Sequence, residues 1–203
     1  MADRPILFSG PMVRALLEGR KTQTRRVLKP QPPAGADLVG IYAPGLTAVF
    51  EVLTQRGPDY TVRLPYVPGD RLWVRETWAP LDRLTHSDPG VQALADRGFY
   101  RADRGTVDGE ISRWSPAIHM PRWASRLTLF VVNVRVQRLQ TIDEDDAMEE
   151  GCRPARWDGL TPRDSFHALW DGLNAERGFG WATDPWVVAV TFSPIHENID
   201  QMQ

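Results

Sequence analysis

One cysteine, Cys152, is present in 203 residues, which excludes an internal disulfide and a cysteine-built zinc site. The four histidines, His86, His119, His167 and His196, are scattered with no metal-ligand spacing, so neither a metal nor another cofactor is expected. No apolar run approaches the ~20 residues of a membrane span, and "MADRPILFSGPM" at the start lacks the basic head and long apolar stretch of a secretory signal. A cytoplasmic protein with no membrane partner is expected. A formal charge of −2 argues against coating nucleic acid by bulk electrostatics. Lysine is the last scarcity. Two lysines, Lys21 and Lys29, stand against 22 arginines.

What is present is unevenly placed. Residues 1 to 29 hold seven Lys/Arg against two Asp/Glu, whereas "DEDDAMEE", 143 to 150, holds six acids and no base. Such a split suits either a pocket lined by both signs or two solvated faces of opposite charge. The length allows one good core, read as a single domain with an inserted excursion at about 79–123 that shows no sustained period. Pro11 to Glu18 reads as a helix, with Ser9 or Gly10 before it and Gly19 as a left-handed exit. "KTQTRRV" then suits an extended segment, and 29 to 46 a surface loop broken by proline and glycine.

Further on, "TAVFEVLT" and "YTVRLPYV" flank "QRGPD" as a hairpin, and "RLWVRETWA" alternates as a strand. "RLTLFVVNVRVQRL" is the strongest strand pattern, and "WVVAVTF" reads as a buried one. Between them come an acidic helix capped by Thr141 or Asp143 and ended by Gly151, and a helix from Thr161-Pro162 with Phe166, Leu169, Trp170 and Leu173 on one face. Strands with short helices and no βαβ alternation predict an α+β fold built on a small mixed barrel.

The rare lysine sits in "EGRKTQTRRV", Glu18 to Val27. Lysine can lose its proton under moderate perturbation and arginine cannot, and nearby cations such as Arg20, Arg25 and Arg26 lower a lysine's proton affinity. A neutral amine there can act as a base; the alternative is a basic surface turn. Thr24 offers a hydroxyl, and Glu76, Glu149 or Glu150 could complete a proton-transfer set. Along a regular strand Lys21 and Thr24 point apart, so they converge only if Lys21 lies in the turn after Gly19.

Taken together, Gly19, Lys21, Thr24 and Arg26, then "GDRLWV", then a long strand followed by "DEDDAMEEG", resemble the ASCH domain family, which has a PUA-like β-barrel fold. The resemblance covers roughly residues 5 to 30, 66 to 78, 124 to 152 and, more loosely, 186 to 193. ASCH-like proteins include RNA binders, a ribonuclease and small bacterial amidohydrolases acting on N4-acetylcytidine. Threonine at position 24 is what those amidohydrolases carry, and in them the lysine, the threonine and a later glutamate are catalytic. The resemblance therefore implies Lys21, Thr24 and Glu150 as catalytic. "RPILFSGPMVRALLEGRKTQTRRV" and "PGDRLWVRETWA" also resemble ASCH-like proteins of bacteriophages and prophages, for which the host cytoplasm is the implied location.

Eight tryptophans are many for this length, and Trp73, Trp78, Trp114 and Trp123 lie close to arginines. Rings beside guanidinium planes suit either packing or the stacking of a single-stranded or flipped base. His119 can serve as an acid or base, or as a hydrogen-bonded structural residue. Expected substrate-binding residues are Arg20, Arg25, Arg26, Trp73, Glu76, Trp78, His119 and Trp123. Expected partners are RNA, single-stranded nucleic acid or a modified nucleoside. The expected activity is metal-independent hydrolysis, by an amidohydrolase or a ribonuclease; the alternative is a non-catalytic module that binds RNA or a modified base.

Overall fold

Leu72 and Val74 alternate with Arg71, Trp73 and Arg75, and in the computed structural model the first two are buried and the other three half-buried, on one strand. The structure describes residues 1–43, 45–52, 59–83, 98–103, 111–153 and 159–202. In chain order their elements are β1 (Asp3–Leu7), α1 (Gly10–Leu17), β2 (Gln23–Val27), β3 (Asp37–Tyr42), β4 (Thr47–Glu51), β5 (Tyr60–Arg63), β6 (Arg71–Arg75), β7 (Trp78–Ala79), β8 (Phe99–Tyr100), β9 (Thr128–Arg138), α2 (Glu144–Glu149), α3 (Pro162–Asn174) and β10 (Trp186–Ile195). The fold is α+β, mostly strands with a few short helices.

The hydrogen-bonded strand order is β1-β6-β9-β10-β2, beside a separate sheet β3-β4-β5 and a small β7-β8 pair. The long order ends on two different strands, so the sheets are open and the expected closed barrel is not formed among the described residues. Both ends have a local reason. Pro5 in β1 has no N–H to give to a further strand, and such residues belong at sheet edges. The approach to β2 is bonded to the end of α2, through Thr22 N–H to the Glu149 carbonyl at 2.8 Å and a bridge between Lys21 and Glu150.

The chain forms two compact units. Unit 1 comprises Met1–Gly19, Asp70–Phe130 and Ser193–Gln203; unit 2 comprises Arg20–Gly69 and Val131–Phe192. In unit 1, β1 runs parallel to β6, with Asp3 opposite Arg71 and Leu7 opposite Arg75. Helix α1 has proline in its first turn, buries Val13, Ala15 and Leu16, and is followed by Gly19 at φ 67°. A Cβ on Gly19 would meet nothing, so the backbone angle rather than space requires glycine. Trp78, Tyr100, Met120 and Ala124 form a small apolar cluster.

Beside that cluster Arg126 grips the buried Glu76 with two bonds of 2.9 and 3.1 Å, pairs with Asp103 at 2.7 Å, and lies 4.0 Å from the Tyr100 ring centroid. Within the expected excursion, β7 and β8 are paired, and residues 84–97 and 104–110 lie outside the described residues.

In unit 2, β10 runs antiparallel to β2, with Val187 opposite Val27 and Thr191 opposite Gln23. Helix α3 opens with a full capping box between Thr161 and Asp164, and packs Phe166 and Trp170 with Leu139, Ile142, Ala147, Cys152 and Val187. Leu173, expected on the same face, is exposed in the last turn of that helix. The expected hairpin is β4-β5; most of its turn, 53–58, lies outside the described residues. Residues 37–42, expected in a loop, form β3 instead. Gly40, which weakened the strand pattern, sits at a register shift after Leu38, and a Cβ there would lie 3.0 Å from the Tyr42 hydroxyl.

Burial raises the Glu76 carboxyl above its ordinary value; the bond and charge of Arg126 oppose the rise and the charge of Asp103 adds to it. The folded chain then holds a proton that the unfolded chain releases, so this group's contribution to stability falls as pH climbs from the ordinary carboxylate value through the raised one. Glu76→Gln is expected to remove that fall in urea unfolding midpoints measured against pH. Arg126→Ala strands a buried carboxylate and is expected to cost about 3 kcal/mol in urea unfolding. A loss under about 1 kcal/mol would mean that the pair behaves as a surface contact.

Candidate functional site at the start of β2

Strand alternation puts the side chains at 23 and 25 of β2 on one face and those at 24 and 26 on the other. The first face meets α2. Gln23 Nε2 donates to Glu149 Oε2 at 2.8 Å, and Arg25 Nη1 donates to Glu150 Oε1 at 3.3 Å and to Gln23 Oε1 at 2.5 Å. Arg25 Nη2 donates to Asp146 Oδ2 at 2.5 Å, and Asp146 Oδ1 accepts from Arg135 at 2.9 Å. Just before β2, Lys21 Nζ lies 2.7 Å from the Glu150 carbonyl and 2.8 Å from Glu150 Oε2. Arg20 donates to the Gly151 carbonyl at 2.9 Å.

This convergence follows from the local sequence. Asp143 accepts from the Asp146 N–H, and with its acidic first turn α2 suits the positive end of the helix dipole. At the other end of the helix the same preference works against Glu150, because a carboxylate at a helix C-terminus faces the negative end. Lys21 and Arg25 offset that cost, and the Lys21 amine also satisfies a carbonyl at the helix end. Gly151, at φ 91°, turns the chain away.

Lys21 is 1% exposed and Glu150 3%. Burial lowers the proton affinity of Lys21; the charge and hydrogen bond of Glu150 oppose it, the charge of Arg26 adds to it, and the net direction is down. A neutral amine has two N–H bonds, which the carbonyl and carboxylate of Glu150 can both accept, and its lone pair takes a third direction. Cys152, two residues after Glu150, is buried, with its thiol pushed up to about 11 by burial and by the Glu150 charge. That keeps it protonated and unreactive at neutral pH.

Of the residues expected at the site, Lys21, Arg20, Arg25 and Glu150 meet through these bonds in unit 2. Thr24 is buried opposite Val190, on the face of β2 away from Gln23 and Arg25. Arg26 shares that second face and is half-buried, with Tyr66, Glu150 and Arg177 as the ionisable groups around it. The remaining five belong to unit 1. Trp73 lies 5.2 Å from the Arg75 guanidinium, and Glu76 is held by Arg126. Trp78 is buried with its ring edge against Trp123 at 5.5 Å, Trp123 is 56% exposed, and His119 is exposed in a 3-10 turn.

Gln23, Asp146 and Arg135 belong to the unit 2 network without having been singled out in the sequence. Their spacing could have shown it: 21, 23 and 25 share a strand face, and 146 and 150 share a helix face. No group of three or more side chains able to hold a metal ion occurs among the described residues.

Glu150→Ala leaves Lys21 buried without its carboxylate and is expected to cost about 3 kcal/mol in urea unfolding, whereas Lys21→Met combined with Glu150→Leu should cost less than the single change. Because Lys21 is depressed in the folded chain, the unfolded chain binds more protons between that value and the ordinary lysine value, so stability should rise with pH across this window. Lys21→Met should lack the rise; equal slopes in both proteins would show that Lys21 titrates normally. The chain matches no protein-family model, no curated protein and no solved structure.

Proposed function

We propose that the chain is a hydrolase of the ASCH-like, PUA-like kind, acting without a metal on the acylated exocyclic amine of a modified cytidine, free or within RNA. One observation carries this reading: the Lys21 amine is buried, depressed in proton affinity, and 2.8 Å from a carboxylate oxygen of Glu150. An amine whose charge is neutralised by an adjacent carboxylate is a poor anchor for phosphate and a good shuttle for a proton, which favours amide hydrolysis over phosphodiester cleavage. Arg26, on the other face of β2, supplies a permanent positive charge whose field reaches the pair.

In this mechanism, because Thr24 lies on the other face of β2, neutral Lys21 takes a proton from a water molecule as the water oxygen bonds to the acyl carbonyl carbon. The proton passes through the Lys21–Glu150 hydrogen bond to the leaving nitrogen as the C–N bond breaks, releasing the amine of cytidine. The acyl group leaves as the free acid and the pair returns to its first state. The exposed and half-buried tryptophans and His119 of unit 1, with its arginines, have the chemistry to bind a nucleic-acid strand. The location that goes with this reading is the cytoplasm, that of the host for a phage-encoded chain; no helix among the described residues is long and apolar enough to cross a membrane.

Incubation with N4-acetylcytidine in the presence of EDTA is expected to yield acetate and cytidine in equal amounts. Lys21→Arg keeps the charge and loses the titratable amine, so turnover should vanish while substrate affinity changes by less than about threefold. Tight binding of the intact nucleoside without turnover by the unaltered protein would make the chain a binding module. Strand cleavage of an RNA oligonucleotide that depends on Lys21 would make it a ribonuclease.

A further inference from the structure

The bonds around Glu150 do not stop at Lys21. Five charged side chains of unit 2 form an alternating series: Lys21 to Glu150 at 2.8 Å, Glu150 to Arg25 at 3.3 Å, Arg25 to Asp146 at 2.5 Å and Asp146 to Arg135 at 2.9 Å. Their side chains open progressively toward solvent, from 0% exposed at Arg25 through 13% at Asp146 to 42% at Arg135. The two oxygens of Glu150 are thus held by different cations, Oε2 by Lys21 and Oε1 by Arg25. A carboxylate held at both oxygens is fixed in rotation as well as in position.

We propose that Arg25 is a positioning residue: anchored by Asp146, it holds one oxygen of Glu150 so that the other meets the Lys21 amine, and the Asp146–Arg25 pair sets how readily that amine gives up its proton. The proposal rests on the reading of Lys21 and Glu150 as a proton-transfer pair. Arg25 suits the task because a guanidinium stays charged at any working pH and its fork spans two acceptors. The carboxylates it joins are four residues apart on α2, where like charges repel, and Arg25 lies between them. Its guanidinium also lies 5.9 Å from the Phe166 ring of α3.

The charged groups facing each member can be named. Around Lys21 are Glu150, Arg26 and Cys152. Glu150 faces Lys21, Arg25 and Arg26. Around Asp146 are Arg25 and Arg135, whose combined effect, with a bond from Gln23, outweighs burial and holds its carboxyl below the ordinary value. Glu149 is engaged by Gln23. A change at Asp146 or Arg25 therefore reaches Lys21 through Glu150, and the two changes act with opposite signs. Removing the Arg25 charge should favour protonated Lys21, and removing the Asp146 charge should disfavour it.

Two lysines make the test direct, because lysine labelled with 15N at Nζ gives one signal from Lys21 and one from the exposed Lys29 as an internal reference. Arg25→Gln is expected to raise the Lys21 titration midpoint and Asp146→Asn to lower it, each by about threefold or more in dissociation constant, with Lys29 unmoved. Arg25→Lys, which restores the charge, should return the midpoint most of the way. Shifts of the same sign for Arg25→Gln and Asp146→Asn, or none, would overturn the proposal. If Arg25→Gln does not fold, Asp146→Asn decides alone: a fall supports the proposal, and a rise or no change overturns it. In the turnover assay Asp146→Asn should move the acidic limb of the rate profile to lower pH and change kcat rather than KM. An absence of turnover from the unaltered protein would defeat the hydrolase reading, while the two lysine midpoints would still decide the role of Arg25.

Discussion

In unit 2 the buried pair of Lys21 and Glu150 is the constraint on which the local structure depends. Glu150 closes a six-residue helix that is too short to be stable alone, and does so with a carboxylate at the end where the helix dipole resists one. Lys21 answers both difficulties by bonding the terminal carbonyl and the carboxylate together. The bridge between the same two residues, and the bond from Thr22 N–H to the Glu149 carbonyl, lay the helix end against the approach to β2.

The same pair explains why lysine rather than arginine stands at position 21 in a chain with 22 arginines and two lysines. Arg20, Arg25 and Arg135 all meet carbonyl or carboxylate oxygens within a few residues of the pair, and each does what a permanent, forked charge does well. At Lys21 the two acceptors belong to one residue, a carbonyl and a carboxylate oxygen of Glu150, which a single tetrahedral nitrogen can meet at once. An amine can do so either as ammonium or, with its two remaining N–H bonds, as a neutral base. Guanidinium offers only the charged form. The burial that lowers the proton affinity of Lys21 also leaves its bonds to Glu150 without competition from bulk water.

Much of the fold was legible because the relevant signals are periodic. Alternating residues in "RLWVR" and in Thr128–Arg138, and the valine run from Trp186, each gave a strand where one forms, and Gly19, Gly151, Asp143 and Thr161 mark helix ends by backbone or capping chemistry. Three strands escaped: β8, within the excursion, and β1 and β3, whose patterns are broken. β1 carries Pro5 and lacks the clean alternation of β6, and its place is set by parallel pairing with β6, a residue-for-residue match between Asp3–Leu7 and Arg71–Arg75. β3 is interrupted by Gly40, whose missing side chain makes room for the Tyr42 ring, so the feature that shapes the strand is the one that hid its pattern. Closure of a barrel was the fold-level expectation that failed, because it depends on what meets the edges of β1 and β2, and edges leave no trace in hydrophobic periodicity.

The site was legible in kind but not in extent. Scarcity singled out Lys21, and Glu150 came only as what the resemblance of "DEDDAMEEG" implies; how Glu150 is held is visible in neither. Arg25 looked like one more cation in a basic run, available to a substrate, yet its guanidinium is turned into α2 between Asp146 and Glu150. The difference lies in phase: residue 25 is four positions from Lys21 on a strand and so returns to the same side, while Arg26, one further, does not. Asp146 follows the same logic on a helix, four residues from Glu150. Reading β2 at period two against α2 at period 3.6 brings 21, 23 and 25 opposite 146, 149 and 150. Composition marks the lysine as unusual; the crossing of those two periods gives it a carboxylate, and gives that carboxylate its second cation.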